Sequence, residues 1–326
     1  MGGLRILAVR LGALGDIVHA LPAVATLKHS FPHCRLSWAV EPKWTALLEA
    51  NPFLDDLIVC SRHSLRAMVD TRRRLRREHF DVAVDFQGLI KSALLANSAR
   101  PEKIFGYHAS QVRERLAALF YSHKVRATAS HIVDRHLELV AAAGASSIVK
   151  AFPLPRGKPE GKLPAGRFVL ASPLAGWAAK QWPLEYYSRL GKMLRERWGV
   201  ALVLNGPPTA EQTLRGVGHT ETHISAVDGL IDATRRAAAV IGVDSGPMHL
   251  AAALERPGVA IFGPTDPQRN GPYGTSLAVL RSHRALTSYK RRQEIDQSMR
   301  EITPEQVLEV LMERLEQAAR SAGRSL

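Results

Sequence analysis

Five segments of the chain combine glycines, carboxylates and cations at spacings suited to anion binding or proton transfer. In Gly12-Ala-Leu-Gly15-Asp16, two glycines let backbone approach a ligand closely, and Asp16 can accept N–H bonds or project toward a substrate. The spacing G-x-x-G-D is not the G-x-G-x-x-G of a dinucleotide site, so a nicotinamide-dependent dehydrogenase loses its main support. Taken alone, Asp16 reads as a helix cap. Gly242-Val-Asp244-Ser245-Gly246-Pro247-Met248-His249 ends a buried strand on an acid and starts a helix from a small-residue turn. Ser245 and Gly246 then offer N–H groups at a helix N-terminus, a seat for phosphate or diphosphate, with His249 one turn further on. The alternatives are Ser245 as an ordinary cap and His249 packed on a strand. A third segment, Ala171-Ser-Pro-Leu-Ala-Gly176-Trp-Ala-Ala-Lys180-Gln-Trp182-Pro183, carries one lysine able to neutralise a leaving phosphate as a point charge, or simply to be solvated.

Two further segments supply cations and an amide. Asp85-Phe-Gln87-Gly88-Leu89-Ile90-Lys91-Ser92 has the form strand, glycine turn, helix, which puts Gln87 and Lys91 on the same rim as Asp16 unless it is a plain turn. Arg72-Arg-Arg-Leu-Arg-Arg77 follows Arg62 and Arg66 and meets no acid before Glu78. Such a run is either a solvated helix face or a binder of phosphate and carboxylate groups. It lacks the aromatic interleaving of a single-strand nucleic-acid platform.

Elements that would position these residues alternate in the α/β manner. Strands are expected at 4–9, 35–40, 57–59, 82–85 and 103–105, with helices at 16–30, 65–78, 89–98 and 131–143. Pro153 to Gly166 holds four prolines and three glycines in fourteen residues without periodicity, and marks a domain boundary. The alternation restarts with strands at 168–171, 201–205, 240–243 and 259–262. Helices are expected at 183–197, 210–217, 230–238 and 247–254, and a last one from Thr303-Pro304-Glu305, with Thr303 as cap. Two α/β domains follow, 1–158 and 159–326, expected to face one another across a cleft at the carboxyl ends of their strands.

Length supports this division, since single cores stop growing near about 250–300 residues and the chain has 326. Cys34 and Cys60 are too few for a disulfide framework or a four-thiolate zinc site, and read as small core residues of a reduced compartment. No apolar run approaches the roughly 20 residues needed to cross a bilayer. A strand-like start replaces a signal-peptide core, and Ile6 stands where myristoylation needs Ser or Thr, so a cytoplasmic protein is expected. Against 30 Asp and Glu stand 44 Lys and Arg, a net charge of +14. That field suits nucleic acid, an anionic membrane or a polyanionic small substrate.

The motifs together resemble glycosyltransferase family 9, the heptosyltransferases of lipopolysaccharide assembly. They are G-x-x-G-D at Gly12 to Asp16, D-x-Q-G-L-x-K-S at Asp85 to Ser92, K-x-W-P at Lys180 to Pro183, and D-[ST]-G-x-x-H at Asp244 to His249 followed by Phe262-Gly-Pro-Thr-Asp-Pro267. The stretch Ile104-Phe-Gly-Tyr through Arg113 to Tyr121 is most like the heptosyltransferase I branch. The resemblance implies an α/β GT-B fold of two Rossmann-like domains, an acceptor-binding N-terminal one and a nucleotide-sugar-binding C-terminal one. It implies inverting transfer from ADP-L-glycero-D-manno-heptose to Kdo of the lipid A inner core, with no separate cofactor.

Under that resemblance Asp16 is the catalytic base, and Lys180 with the turn at Ser245 and Gly246 holds the diphosphate. His249 assists, Asp244 stands near the donor sugar or phosphate, Gly176 belongs to the donor loop, and Glu211 contacts the ribose. Gly15, Gln87, Lys91, Arg62 and Arg66 bind acceptor. No D-x-D triplet occurs, so cations and the helix dipole replace a metal. The acceptor implies a transient anionic membrane surface and a peripheral position on the cytoplasmic face of the inner membrane. The Thr-Thr pair common before the lysine in heptosyltransferase I is here Ala175-Gly176, which removes two hydroxyl contacts to donor. A nucleic-acid-binding protein is disfavoured, because glycine turns fall in both halves and nothing resembles a helix-turn-helix, RNA-recognition or zinc-finger motif.

Overall fold

The computed structural model describes residues 3–61 and 64–323. The chain divides into two compact units, Met1–Pro155 and Arg156–Leu326. In the first, the elements run β1 (Arg5–Val9), α1 (Leu14–Ser30), β2 (Arg35–Val40), β3 (Asp56–Val59), α2 (Leu65–Arg77), β4 (Val82–Asp85), α3 (Ile90–Ser98), β5 (Lys103–Tyr107), β6 (His123–Val125) and α4 (Ile132–Ala142). The strands form one six-stranded sheet in the order β3-β2-β1-β4-β5-β6. Every pairing is parallel, with Val9 opposite Ala39 on one side and Asp85 on the other. A parallel sheet covered on both faces needs apolar strands throughout, and Ile6, Leu7, Ala8 and Val9 are all buried. Helix α1 packs on α4, and its buried residues run from Leu14 to Leu27.

The second unit repeats the plan: β7 (Phe168–Ser172), α5 (Leu184–Trp198), β8 (Ala201–Gly206), α6 (Glu211–Arg215), β9 (Glu221–Ile224), α7 (Val227–Arg236), β10 (Ala239–Val243), α8 (Gly246–Ala253), β11 (Gly258–Phe262), α9 (Pro267–Asn270), β12 (Leu277–Arg281), α10 (Gln297–Arg300) and α11 (Pro304–Gly323). Its sheet order, β12-β11-β10-β7-β8-β9, is again all parallel. Renumbered within the unit, that is the same doubly wound 3-2-1-4-5-6 arrangement. In such sheets the strand order reverses at one point, and loops leaving the carboxyl ends of the two strands there open a ligand crevice. The reversal falls between β1 and β4 in the first unit and between β7 and β10 in the second.

Strands β6, β9 and β12, absent from the sequence expectations, are all outermost strands. Two of them, His-Lys-Val and Glu-Thr-His-Ile, carry polar residues because an edge need not be buried on both faces. Hydrogen bonds tie the proline- and glycine-rich stretch to the unit it touches. Asn51 Nδ2 donates to Pro153 O at 3.2 Å, while Ala226 N donates to Glu160 Oε2 at 2.7 Å and His223 Nε2 lies 2.6 Å from Glu160 O. Both cysteines are free and buried, as expected of core residues.

Candidate active site

At the β1–β4 reversal, Arg10 leaves the sheet and turns its guanidinium onto the loop that follows. Its side chain is nearly buried; Nη1 donates to Phe86 O at 2.7 Å and Nη2 lies 2.6 Å from Asp16 Oδ2. Asp16 is the third residue of α1, where Oδ2 also accepts from Ala13 N at 3.1 Å, so it does cap the helix. Both bonds use one oxygen. Oδ1 makes no hydrogen bond among the described residues and the side chain is about half exposed, at 47%, so one carboxylate oxygen stays open. Gly12 fits because a Cβ there would lie 2.6 Å from Trp44 Nε1.

The β4 loop is locked to this one. Gln87 Oε1 accepts from Leu11 N at 2.9 Å, so its carbonyl end joins two loops rather than waiting for ligand. Beneath it Asp85 is fully buried. Its carboxylate accepts from Gln87 N at 2.8 Å, Gly88 N at 3.4 Å, Ser92 Oγ at 2.8 Å and Tyr121 OH at 2.7 Å. Burial pushes the Asp85 carboxyl up from its ordinary range while these bonds pull it down. Gly88 takes φ +67 with Val112 Cγ1 2.9 Å from the place of a Cβ, and Gly106 lies flush against the Tyr121 ring. Two motifs distant in sequence are thus parts of one turn. Lys91 Nζ stands 3.5 Å from Glu41 Oε1.

In the second unit, Lys180 sits in the loop after β7 and Asp244 directly after β10. Lys180 Nζ and Asp244 Oδ2 are 2.7 Å apart, with side chains only 14% and 9% exposed. The ammonium also stands 5.1 Å from the Trp177 ring centroid, within cation–π range. What positions the lysine is Trp182: its indole is buried, its Nε1 donates to Ile302 O at 2.8 Å, and its ring meets Tyr187 edge-on at 4.8 Å. His249 Nε2 lies 3.9 Å from Asp244 Oδ1. Ser245 holds the N-cap position of α8 without a side-chain cap bond, and its Oγ is buried with no partner. A buried orphan hydroxyl is costly unless a ligand completes it. Thr265 Oγ1, after the neighbouring strand β11, is buried and orphaned in the same way.

Of the residues singled out from sequence, Asp16, Gly15, Gln87 and Lys91 gather around the first reversal, and Lys180, Asp244, Ser245, Gly246 and His249 around the second. Gly176 lies exposed in the β7 loop with open space around it. Glu211 pairs with Arg215 one turn along α6. Arg62 lies outside the described residues. Arg66 is 93% exposed and 4.0 Å from Asp70. The arginine run is less bare than its sequence suggests: Arg73 meets Asp70 at 3.8 Å, and Arg74 meets Asp56 at 2.5 Å and Glu78 at 3.1 Å. Helical i,i+3 spacing and the adjacent strand β3 supply partners that linear reading misses. Sequence reasoning also passed over Arg10, whose signal is a cation ending an apolar strand just ahead of G-x-x-G-D.

Two doubly wound units of one strand order, each with charged residues at its reversal, define the class of two-domain Rossmann-like proteins that includes the GT-B glycosyltransferases. The model of glycosyltransferase family 9 (heptosyltransferase) matches residues 68–299, and the chain belongs to that family. It is 30% identical over 304 residues to lipopolysaccharide heptosyltransferase 1 of Pseudomonas aeruginosa, covering 86% of this chain and 84% of that one. With lipopolysaccharide heptosyltransferase 1 of Escherichia coli K12 it shares 29% over 314 residues, 86% of this chain and 94% of the relative. Among solved structures, E. coli heptosyltransferase WaaC with ADP-2-deoxy-2-fluoro heptose superimposes with a TM-score of 0.74 at 25% identity, over 95% of this chain and 99% of that one. The family and α/β GT-B class expected from the motifs are borne out.

Proposed function

We propose that the chain moves L-glycero-D-manno-heptose from its ADP derivative to Kdo of the lipid A inner core, by an inverting displacement. The observation that carries this reading is the second unit's reversal, where a fixed lysine, an orphan hydroxyl and a helix N-terminus converge as a diphosphate would require. The relatives' names and the ADP-heptose analogue bound by the E. coli neighbour support it. The N-terminal unit takes the acceptor, through Gly15, Gln87 Nε2, Lys91, Arg62 and Arg66, and the C-terminal unit takes the donor. Asp16 Oδ1 accepts the acceptor hydroxyl proton as that oxygen attacks the anomeric carbon. The bond to the β-phosphate breaks, and ADP leaves with the electron pair. Lys180 and the N–H groups of Ser245 and Gly246 receive the growing charge, with His249 beside them. Asp244 holds Lys180 and faces the sugar, Gly176 admits donor backbone contacts, and Glu211 reaches the ribose. Charge is met by protein cations and the dipole of α8, so turnover is expected to survive chelation. Among the described residues no helix is long and apolar enough to cross a membrane, and we place the enzyme peripherally on the cytoplasmic face of the inner membrane, where a lipid acceptor would be met.

Mass spectrometry of Kdo-lipid A after incubation with ADP-heptose and EDTA tests the reading. The acceptor should gain one heptosyl residue, and Asp16→Asn should abolish turnover while sparing ADP binding. An unchanged acceptor mass, or an active Asp16 variant, defeats it. Transfer only to an acceptor already bearing heptose, or only from another nucleotide sugar, would assign the chain to a different step within the family.

A further inference from the structure

Between α2 and α3 the N-terminal unit holds a cavity of about 770 Å³, a volume typical of ligand sites. Its wall carries Arg72 and Arg76 from α2, Lys91 from α3 and Arg100 from the turn after α3, and no carboxylate among the described residues. Two sets among the arginines of α2 differ in their partners, while Arg77 is exposed and lies outside the cavity lining. Arg66, Arg73 and Arg74 are matched by Asp70, Asp56 or Glu78. Arg72 and Arg76, together with Arg100, make no ion pair among the described residues, and Arg76 Nε is buried without a hydrogen bond. The charge of Arg72, then burial, then the charge of Arg100 push the Arg76 guanidinium down from its ordinary value. Three like charges converging without a counter-ion oppose one another, and an anion entering between them removes that cost. Arg100 takes φ +51, at the position after a helix end that usually falls to glycine.

The same cavity is apolar between its cations. Met68 and Leu94 line it and are 50% and 47% exposed, far more than a core would leave them. Cations around aliphatic wall, with no aromatic ring for base stacking, suit an amphiphile better than a nucleic acid. Leu11 also lines the cavity; it lies five residues before Asp16, on the loop that Gln87 holds. A ligand filling the cavity therefore adjoins the loop of the catalytic carboxylate.

We propose that this cavity seats the phosphorylated, acylated end of the glycolipid acceptor, with a phosphate monoester on Arg72, Arg76 and Arg100 and an acyl chain on Met68 and Leu94. The inference rests on the reading of the acceptor as a lipid A derivative. Its test needs no transfer. Full-length protein is titrated with dodecyl maltoside micelles doped with dodecyl phosphate, and separately with plain micelles plus the same amount of inorganic phosphate. Doped micelles should bind and the plain mixture should not. Arg76→Gln/Arg100→Gln should weaken binding about tenfold or more, as expected for lost charged hydrogen bonds, with ADP binding intact as the check on folding. Arg197→Gln/Arg284→Gln removes equal charge from the C-terminal unit and should leave micelle binding unchanged. Equal weakening by both double variants would reduce the effect to net charge and overturn the proposal, as would binding of inorganic phosphate alone as tightly as of the doped micelles. In the transfer assay, the Arg76/Arg100 variant should raise KM for Kdo-lipid A with kcat and the donor KM retained, and should match wild type on a dephosphorylated acceptor. Discrimination between the two acceptors as strong as in wild type would overturn it. Micelle binding with no transfer would leave this site standing and defeat only the proposed reaction.

Discussion

Asp244→Asn is the perturbation that most directly separates an architectural ion pair from one prepared for a ligand. Asp244 Oδ2 and Lys180 Nζ lie 2.7 Å apart and both side chains are largely buried. Asparagine keeps the shape and removes the charge, leaving the ammonium in a site that Trp177 stabilises only through its ring face. Breaking a buried pair from one side costs about 3–5 kcal/mol; the retained cation–π contact argues for the lower end, about 3 kcal/mol. At roughly 2–4 °C per kcal/mol for a unit of this size, the melting transition of the C-terminal unit should fall by about 6–12 °C. ADP at a hundredfold excess over its Kd stabilises wild type by about 2.7 kcal/mol. In the variant its diphosphate becomes the main countercharge for Lys180, so the ADP-induced shift should exceed the wild-type shift. Differential scanning fluorimetry with and without ADP measures both. Equal melting of the two ligand-free proteins would show that the pair contributes nothing to the fold. Equal ADP shifts would show that the diphosphate does not reach Lys180.

Ser245→Ala should leave ligand-free stability unchanged or raise it slightly, because the buried hydroxyl makes no bond to lose, whereas removing a true cap would cost about 1 kcal/mol; ADP affinity by calorimetry should nevertheless fall. His136 is buried, with Tyr107 OH 2.6 Å from its Nδ1. Burial first, then Arg10 and His131, hold its pKa well below the ordinary value of 6.5. The unfolded chain therefore takes up a proton that the native one refuses, and stability is lost as pH falls below about 6.5, at about 1.4 kcal/mol per pH unit. Urea unfolding of the N-terminal unit should show stability falling between pH 7 and pH 5, and His136→Gln should flatten the slope; an unchanged slope removes the assignment. Gly88→Ala meets both a left-handed φ and Val112, and should cost about 1–3 kcal/mol, with KM for acceptor rising as the Gln87 turn loosens; a variant as stable as wild type would mean the turn relaxes freely.

Inner strands were readable because burial on both faces demands unbroken apolar runs: Arg35–Val40 and Val82–Asp85 fall where periodicity puts them. Of the four outer strands, the apolar Leu57–Val59 of β3 was readable and β6, β9 and β12 were not; in β6 and β9 an edge tolerates His123, Lys124 and Glu221. Within the site, residue type located the glycine turns and the acids, but geometry decided what each acid does. Asp16 caps and offers a free oxygen at once, a pair of roles that sequence presents as alternatives. Ser245 has the sequence of a cap and the structure of an orphan donor. Arg10 has no spacing signature because its partners, Phe86 O and Asp16, are set by sheet order and loop path rather than by neighbours along the strand. Arg74 likewise finds Asp56 only because β3 lies beside α2.

Asp85 and Asp244 make the point within one chain. Each stands at the carboxyl end of the strand beside the reversal, β4 in one unit and β10 in the other. Asp85 is met by two backbone N–H groups and two neutral hydroxyls, all supplied by its own unit. Its hydrogen-bonding capacity is spent, it is sealed from solvent, and it can act only by holding the turn that carries Gln87 and Lys91. Asp244 is met by a cation and faces a histidine, with an unfilled hydroxyl next in the chain. A carboxylate satisfied by neutral donors has nothing to exchange when a ligand arrives, whereas one satisfied by a lysine shares its partner with any anion that enters. The duplicated fold thus supplies the same acid twice, and under the proposed function the partner's charge separates the copy that is scaffold from the copy that meets ligand.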